Sequence, residues 1–259
     1  MMPPSLVALA GALALVAAAL TSVSAARVAA ADTRADPLPA CAYGDTVTDL
    51  RAYDDWTRTI VDTTYRLPAG YAPPDLVPVG RAGLAGSGQV RRLAIADLAA
   101  LAHAARRDGI PLASISGYRS YGSQAGAFAH WVGVLGYDRA VLGSARPGHS
   151  EHQLGTTIDF ASYPGGEPWY FGWYGSPTAT WLAANAWRYG FALSYPAGKT
   201  AVTCYGYEPW HYRYVGRGVA AAIHASGLTT REFLWRQPAT EPEATPRPPA
   251  PTEGAPATS

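Results

Sequence analysis

The sequence has little excess charge, few cysteines and no long hydrophobic run. Its 259 residues carry 20 Lys and Arg residues against 19 Asp and Glu residues, for a net charge of +1. Such a balance creates no strong field for a polyanion, and no Lys/Arg stripe with interleaved aromatic residues follows the chain. Nucleic acid is therefore not an expected partner. The sequence also lacks an internal repeat and the His-Glu-x-x-His motif, so any zinc site must be of another kind.

The N-terminal segment is apolar but short. Its hydrophobic core runs from Leu6 to about Leu20, which is less than the ~20 apolar residues that a membrane-spanning helix needs. Residues 23–25, Val-Ser-Ala, offer a cleavage site of small residues. No Lys or Arg precedes the apolar core, which leaves an uncleaved membrane anchor as the alternative. We predict a signal peptide over residues 1–25, export, and no stable membrane span after cleavage.

The chain contains only two cysteines, Cys41 and Cys204. An even number in an exported protein favours a disulfide. The bond would tie the N-terminal arm to the segment that leads into Glu208. The alternative is a pair of buried free thiols. Neither cysteine lies near a histidine with the spacing of a zinc site.

Hydrophobic periodicity predicts an alternation of helices and short strands. The clearest helix spans residues 90–107, because Ile95, Leu98 and Leu101 share one face and Asp108-Gly109 ends it. Residues 137–147 are predicted to form an approach loop. The other predicted helices span residues 124–135, in which Phe128 and Trp131 are assigned to the core, 180–189 and 218–226. The predicted strands span residues 112–116, 156–160, 191–195, 205–207 and 211–215, with 191–195 and 205–207 forming a hairpin.

The densest group of reactive side chains lies in residues 148–160. Gly155 allows a tight turn after His152, and the strand that follows places Asp159 on the face opposite Phe160. Downstream, Glu208 and His211 lie three residues apart across a turn that Pro209 begins. Catalytic zinc takes three N or O ligands and leaves its fourth position to water. Spacing alone leaves a structural role for these histidines as open as a metal site.

Three motifs together carry a resemblance to a known family. In order along the chain they are Ser116-Gly117-Tyr118-Arg119-Ser120-Tyr121-x-x-Gln124, Ser150-x-His152-x-x-Gly155-x-x-x-Asp159 and Glu208-x-Trp210-His211. This set resembles the VanY-type D-alanyl-D-alanine carboxypeptidases over about residues 60–228. Those enzymes belong to a group of zinc peptidases that includes D,D-dipeptidases and phage endolysins. The group shares its fold with the hedgehog signalling domain.

The resemblance implies a role for each matching residue. His152, Asp159 and His211 would be the ligands of a Zn²⁺ cofactor. Glu208 would act as general base and then as general acid, and Arg119 would stabilise the oxyanion. The residues implied in substrate binding are Ser150, Gln124, Tyr118 and Trp210. His149 departs from the residue expected at its position, which leaves a role near the metal open.

The resemblance also implies an α+β fold, in one domain with a central antiparallel sheet flanked by helices, over residues 60–235. Residues 26–59 would form a leader and N-terminal arm. Residues 236–259, rich in Pro, Ala and Thr, have too few large apolar groups to order and are expected to be disordered. The implied enzyme is a secreted, cell-wall-associated monomer that cleaves the terminal D-Ala–D-Ala bond of a peptidoglycan stem peptide.

Several alternatives remain open from the sequence. The enzyme could cut a free dipeptide, an L,D bond or an internal bond of the stem peptide, or the domain could bind the cell wall without catalysis. Aromatic residues between 163 and 174, including Trp169 and Trp173, could line the substrate cleft as an exposed platform. They could equally fill the core of the domain.

Overall fold

The computed structural model describes residues 37–48, 56–162 and 173–236, and a five-stranded sheet organises them. The predicted signal peptide at 1–25, Trp169 with the rest of 163–172, and the predicted tail from residue 237 onward lie outside the described residues. No described helix has the length and apolarity to cross a membrane.

The strands of the described chain form one large sheet and two small ones. The main sheet has the order β4-β6-β7-β9-β8; β4 pairs with β6 in parallel, and the other neighbours are antiparallel. The small sheets pair β1 with β2 and β3 with β5. The strand bounds are β1 Thr46–Val47, β2 Tyr65–Arg66, β3 Leu76–Pro78, β4 Ala85–Gly86, β5 Gln89–Arg91, β6 Leu112–Ser116, β7 Thr157–Ser162, β8 Phe191–Leu193 and β9 His211–Tyr214.

Helices pack around this sheet, so the implied α+β architecture is confirmed. Ser176 caps α4 by accepting a hydrogen bond from the Ala179 N–H, and Pro177 occupies the first turn, where its missing N–H costs nothing. The helix bounds are α1 Ile95–Arg107, α2 Tyr121–Leu135, α3 Tyr137–Gly143, α4 Pro177–Asn185, α5 Thr200–Thr203, α6 Arg217–Ser226 and α7 Thr230–Arg236. Short 3-10 helices span Val79–Ala82, Arg92–Ala94, Glu151–Leu154 and Ala186–Tyr189.

The core lies between α1 and the main sheet. On α1 the buried residues include Leu98, Leu101 and Ala105, which is the face that the periodicity predicted. Phe160 of β7 and Phe191 of β8 meet them from the sheet side, with ring centroids 6.1 Å apart. The sheet is thereby fixed on one face, and it places Asp159 of β7 beside His211, the first residue of β9.

Three predictions of secondary structure were wrong. The predicted helix at 90–107 begins only at Ile95, because residues 89–91 pair with β3 as a strand. Residues 137–147 do not form a simple loop, because α3 buries Ala140 and Val141. Residues 205–207 are not a strand; β8 pairs instead with β9, and the Tyr205 hydroxyl donates to the carbonyl of His149.

The predicted disulfide is confirmed. Cys41 and Cys204 are bonded, with their Cα atoms 5.2 Å apart and a sequence separation of 163. The bond attaches the N-terminal arm to the turn that follows α5. Arg231 of α7 reinforces this junction, because its Nη1 donates to the carbonyls of Pro39 and Val202 at 3.1 and 2.9 Å. Its Nε also forms a buried ion pair with Asp62 Oδ2 at 2.7 Å.

Candidate metal centre

A short turn before β7 positions His152. Ser150 accepts a hydrogen bond from the His152 N–H, at 3.3 Å, and so caps the 3-10 helix. Gly155 ends that helix with φ 74°, a left-handed conformation that side chains disfavour. A Cβ at Gly155 would lie only 2.9 Å from Pro73 Cγ, so the close packing also requires glycine.

The register of the sheet brings the other two predicted ligands together. Asp159 of β7 lies directly opposite His211 of β9 in the antiparallel ladder. The turn before β9 is the one the sequence predicted, since the His211 N–H donates to the Glu208 carbonyl at 3.1 Å. This backbone arrangement places Glu208 beside the same point.

The side chains of His152, Asp159 and His211 converge on one buried point. One ligand atom from each lies within 4.8 Å of those from the other two. The Oδ2 atom of Asp159 is 3.0 Å from His152 Nε2, and its Oδ1 atom is 3.1 Å from His211 Nδ1. All three residues are at most 5% exposed. Within the described residues, this is the group of His, Cys, Asp and Glu side chains whose geometry suits a metal ion.

The hydrogen bonds of His152 favour a cation at this point. Its Nδ1 lies 2.7 Å from the Gly117 carbonyl, which can only accept, so Nδ1 carries the proton. Burial lowers the pKa of His152 and favours the neutral ring, despite the opposing effect of Asp159. The lone pair on Nε2 then faces a carboxylate oxygen. Two electron-rich atoms at 3.0 Å need a positive charge between them, which is what a zinc ion would supply.

The Asp159 carboxylate supports the same conclusion. Its Oδ1 atom is buried and has no hydrogen-bond partner among the described residues, although it lies 3.1 Å from His211 Nδ1. Burial alone would raise the pKa of Asp159, but the neighbouring imidazoles outweigh it and hold the pKa well below its usual range. For His211 the effects have the opposite sign. Burial lowers the pKa of the imidazole, but Asp159 and Glu151 beside its two nitrogens raise that pKa to about 10. The site therefore stabilises positive charge.

Glu208 has the properties of a general base. Its Oε2 atom is 3.4 Å from His211 Nδ1. Burial raises the pKa of Glu208 to about 7; the charge of His211 opposes this shift and that of Asp159 adds to it. A carboxyl group with a pKa near neutrality can both accept and return a proton at physiological pH.

Arg119 lies on the other side of Asp159. Its guanidinium Nη2 is 3.8 Å from Asp159 Oδ2. Gln124 and Ser116 fix that guanidinium by accepting hydrogen bonds at 2.8 and 3.0 Å. The amide nitrogen of Gln124 donates to the carbonyl of Ala145, so both ends of this buried side chain are engaged within the protein.

A cavity of about 390 Å³ opens onto the candidate metal site. His152, Asp159, His211 and Glu208 line it, together with the predicted residues Arg119, Ser150 and Trp210. Gln124 and Tyr118, which were predicted to bind substrate, are not among the described residues that line the cavity. Trp131, which we assigned to the core, also lines the cavity and is only half-buried. The lining residues that the sequence did not suggest include Tyr195, Tyr205 and Tyr207, whereas Tyr174 belongs to the aromatic segment that was suggested to line the cleft.

The aromatic segment and His149 take positions that the sequence left open. Trp173 is fully buried and fills the core, as the second interpretation of this segment expected. Its neighbour Tyr174 is exposed and lines the cavity. His149 directs both ring nitrogens away from the metal site. Its Nδ1 lies 2.7 Å from the Asp62 carbonyl and its Nε2 lies 3.1 Å from Asp45 Oδ1.

Glu151 was missing from the predicted site. It lies next to His152 in sequence, but it contacts the far side of His211, with Oε2 3.1 Å from His211 Nε2. Burial would raise the pKa of Glu151, but the charge of Arg213 and the hydrogen bonds from His211 and Ser194 lower it to about 2. No motif could have revealed this residue, because its partners come from β9 and from the segment after β8.

Comparisons with known proteins agree with this geometry. The family model of VanY, D-alanyl-D-alanine carboxypeptidase, matches residues 87–217. YodJ of Bacillus subtilis strain 168 is 37% identical over 179 residues, which are 68% of this chain and 66% of YodJ. The chain therefore spans slightly less than two thirds of this relative.

Two solved structures resemble the fold closely. The LdcB LD-carboxypeptidase has a TM-score of 0.65 and 31% identity, over 76% of this chain and 99% of LdcB. A mutant of the vancomycin resistance D,D-pentapeptidase VanY, solved in complex with Zn(II), has a TM-score of 0.60 and 30% identity, over 69% and 99% of the two chains. With its fold, its three motifs and its buried His-Asp-His group in agreement, the chain belongs to the VanY family of D-alanyl-D-alanine carboxypeptidases.

Proposed function

We propose that the protein is a zinc-dependent carboxypeptidase that hydrolyses the terminal D-Ala–D-Ala bond of peptidoglycan stem peptides. The observation that carries this proposal is the buried group of His152, Asp159 and His211 at the base of a cavity, with Glu208 beside it. Membership of the VanY family and similarity to a Zn(II) complex of VanY support the choice of metal and bond.

Each residue has a defined task in this proposal. The two imidazoles and Asp159 would hold zinc, which when bound acidifies its water and polarises a carbonyl. Glu208 takes a proton at Oε2 from the attacking water and returns it to the leaving amine. The side chain is suited to both steps because burial brings its pKa to about 7.

Arg119 has the position expected of an oxyanion-stabilising residue. It lines the cavity and lies within 4 Å of Asp159. Because Gln124 and Ser116 hold its guanidinium, the positive charge is already oriented before substrate arrives. A preorganised donor of this kind is worth about 3 kcal/mol to the transition state. Ser150 lines the same cavity and is proposed to help bind the terminal carboxylate of the substrate.

A second candidate reaction is hydrolysis of an L,D bond in the same stem peptide. The similarity to LdcB, which covers 99% of that LD-carboxypeptidase, favours this alternative. The two reactions differ in the residue that precedes the terminal D-Ala, and the proposed metal group and base would serve either one.

The deciding experiment uses the purified protein and two synthetic stem peptides. One is a pentapeptide that ends in D-Ala–D-Ala, and the other is a tetrapeptide that ends in a single D-Ala. Mass spectrometry should show loss of one D-Ala from the pentapeptide, no loss in the presence of a zinc chelator, and recovery when zinc is restored. Faster cleavage of the tetrapeptide would favour the L,D reaction. No cleavage of either peptide by the zinc-loaded protein would favour a binding domain.

We also propose that the protein acts outside the cytoplasm, at the cell wall, as a monomer. The Cys41–Cys204 disulfide supports this location, because such bonds persist in oxidising compartments. Cell fractionation and N-terminal sequencing of the mature protein test export and cleavage near Ala25. Light scattering of the purified protein tests the monomer.

A further inference from the structure

A buried carboxylate lies directly behind the candidate metal site. Glu151 is 5% exposed and is not among the described residues that line the cavity, so it is not placed to touch substrate. Its Oε2 atom is 3.1 Å from Nε2 of His211, on the opposite side of the ring from Asp159. The proposed ligand His211 is thus held between two carboxylates.

The contact with Glu151 provides an acceptor on the side of His211 away from the candidate metal site. Carboxylates lie beside both ring nitrogens, but a metal ion at Nδ1 would leave the ring proton on Nε2, where Glu151 accepts it. Nδ1 then presents its lone pair towards Asp159 and Glu208, which is where a metal ion would lie. A carboxylate that accepts from the outer nitrogen of a metal-binding histidine fixes the ring and increases its basicity.

Glu151 is itself held by two other buried residues. Its Oε2 accepts a hydrogen bond from Ser194 Oγ at 2.6 Å, and its Oε1 accepts one from Arg213 Nη1 at 3.1 Å. Arg213 is anchored in turn, because its Nη2 donates to the carbonyls of Trp56 and Thr59, both at 2.7 Å. These contacts leave the carboxylate little freedom to turn away from His211.

We propose that Glu151 is a positioning residue that orients His211 and selects the tautomer in which Nδ1 binds the metal. This inference rests on the proposed zinc site. Trp56 and Thr59 lie far before the three motifs in sequence. Through Arg213 and Glu151, their carbonyls help to fix the orientation of His211.

The test measures zinc affinity rather than peptide cleavage. Wild-type protein and the variants Glu151→Gln, Glu151→Met and Ser194→Ala are freed of metal and titrated with zinc against a chromophoric chelator. Met removes the acceptor for Nε2–H, and Gln keeps one oxygen. We expect the Met variant to bind zinc ~100-fold more weakly and the Gln variant ~10-fold more weakly, in the range known for such outer partners.

Ser194→Ala is the matched control. It removes one hydrogen bond to the same carboxylate oxygen, but Arg213 still holds Glu151 and the contact with His211 remains, so its zinc affinity should stay close to that of the wild type. The absorption spectrum of the cobalt-loaded protein is a second readout. It should change in the Glu151 variants and remain unchanged in the Ser194 variant if the orientation of His211 depends on Glu151.

The outcomes separate this inference from the proposed function. If wild-type protein binds zinc tightly and the folded Glu151 variants bind it equally well with an unchanged cobalt spectrum, Glu151 does not position His211. If wild-type protein binds no stoichiometric zinc, the proposed function itself is wrong. Because Met leaves Arg213 without its carboxylate, the Gln variant decides the question should the Met variant fail to fold.

Discussion

Replacing Glu208 by Gln tests the proposed chemistry most directly. The two side chains have nearly the same shape, but the amide cannot take a proton from water. Glu208 is not one of the three residues of the candidate metal group, although its Oε2 lies 3.4 Å from His211 Nδ1. We therefore expect Glu208→Gln to fold, to bind zinc and to lose its turnover.

The size of the loss follows from the role of the carboxylate. A positioned general acid–base contributes about 10²- to 10⁴-fold to the rate, which corresponds to about 3–5 kcal/mol of activation free energy. Glu208 is proposed to act in both proton transfers, so the loss should lie towards the upper end of this range. The Michaelis constant should change much less than the turnover number, because substrate contacts remain.

The same variant has a predictable effect on stability. Burial raises the pKa of Glu208 from 4.5 to about 7, so the folded state binds this proton more tightly than the unfolded state. Stability of the metal-free protein therefore falls as the pH rises from 4.5 through 7, and the penalty is complete above 7. Removing the charge should make metal-free Glu208→Gln more stable than the wild type at pH 8, by up to about 3 kcal/mol.

The assay compares three proteins: wild type, Glu208→Gln, and Asp138→Asn as a matched change from carboxylate to amide on the exposed surface of α3. Peptide cleavage, zinc content and urea unfolding with chelator present are measured for each. The control should behave like the wild type in all three. Turnover in Glu208→Gln within threefold of the wild type would remove this residue from the mechanism.

Three further changes give separate expectations. Replacing Cys41 and Cys204 by Ser opens a loop whose ends are separated by 163 positions in sequence. Urea unfolding should show that the free energy of unfolding falls by up to about 5 kcal/mol in the chain-entropy model, and an unchanged midpoint would contradict this. Gly155→Ala forces a Cβ to within 2.9 Å of Pro73 at φ 74°; thermal unfolding should show about 1–3 kcal/mol of destabilisation, whereas a rise in the midpoint would exclude this strain. Asp159→Asn removes the charge shared by both imidazoles; isothermal titration should show zinc binding at least ~10-fold weaker, and retained affinity would remove Asp159 from the metal group.

Much of the candidate site was predictable because its motifs are local. The turn at Gly155 and the strand after it determine where His152 and Asp159 point, and both are short-range features of the sequence. The antiparallel register then places His211 opposite Asp159. This pairing joins strands that are far apart in sequence, and the sequence indicated it only through the resemblance to a family.

The errors in the predicted fold have identifiable causes. Residues 90 and 91 were included in the predicted helix but belong to β5, because pairing with β3 outweighs local preference. Helix α7 was not predicted, although its capping box is readable in the sequence: the Thr229 N–H donates to Glu232 Oε2, and Thr229 Oγ1 accepts from the Glu232 N–H. Tyr195, Tyr205 and Tyr207 had no signal in the sequence, since they come from segments that converge on the cavity only in the folded chain.

The arrangement of charge explains how three nearby carboxylates can have three different roles. The positive charge of Arg213 lies beside Glu151 and stabilises its negative charge, so Glu151 stays ionised and can accept a hydrogen bond from His211. Asp159 faces both imidazoles and needs a cation between them. Glu208 faces the cavity, where burial disfavours its charge and makes it a stronger base. The neighbouring charges, the hydrogen bonds and the burial of each carboxylate therefore set its pKa and its task, although the three groups are chemically alike.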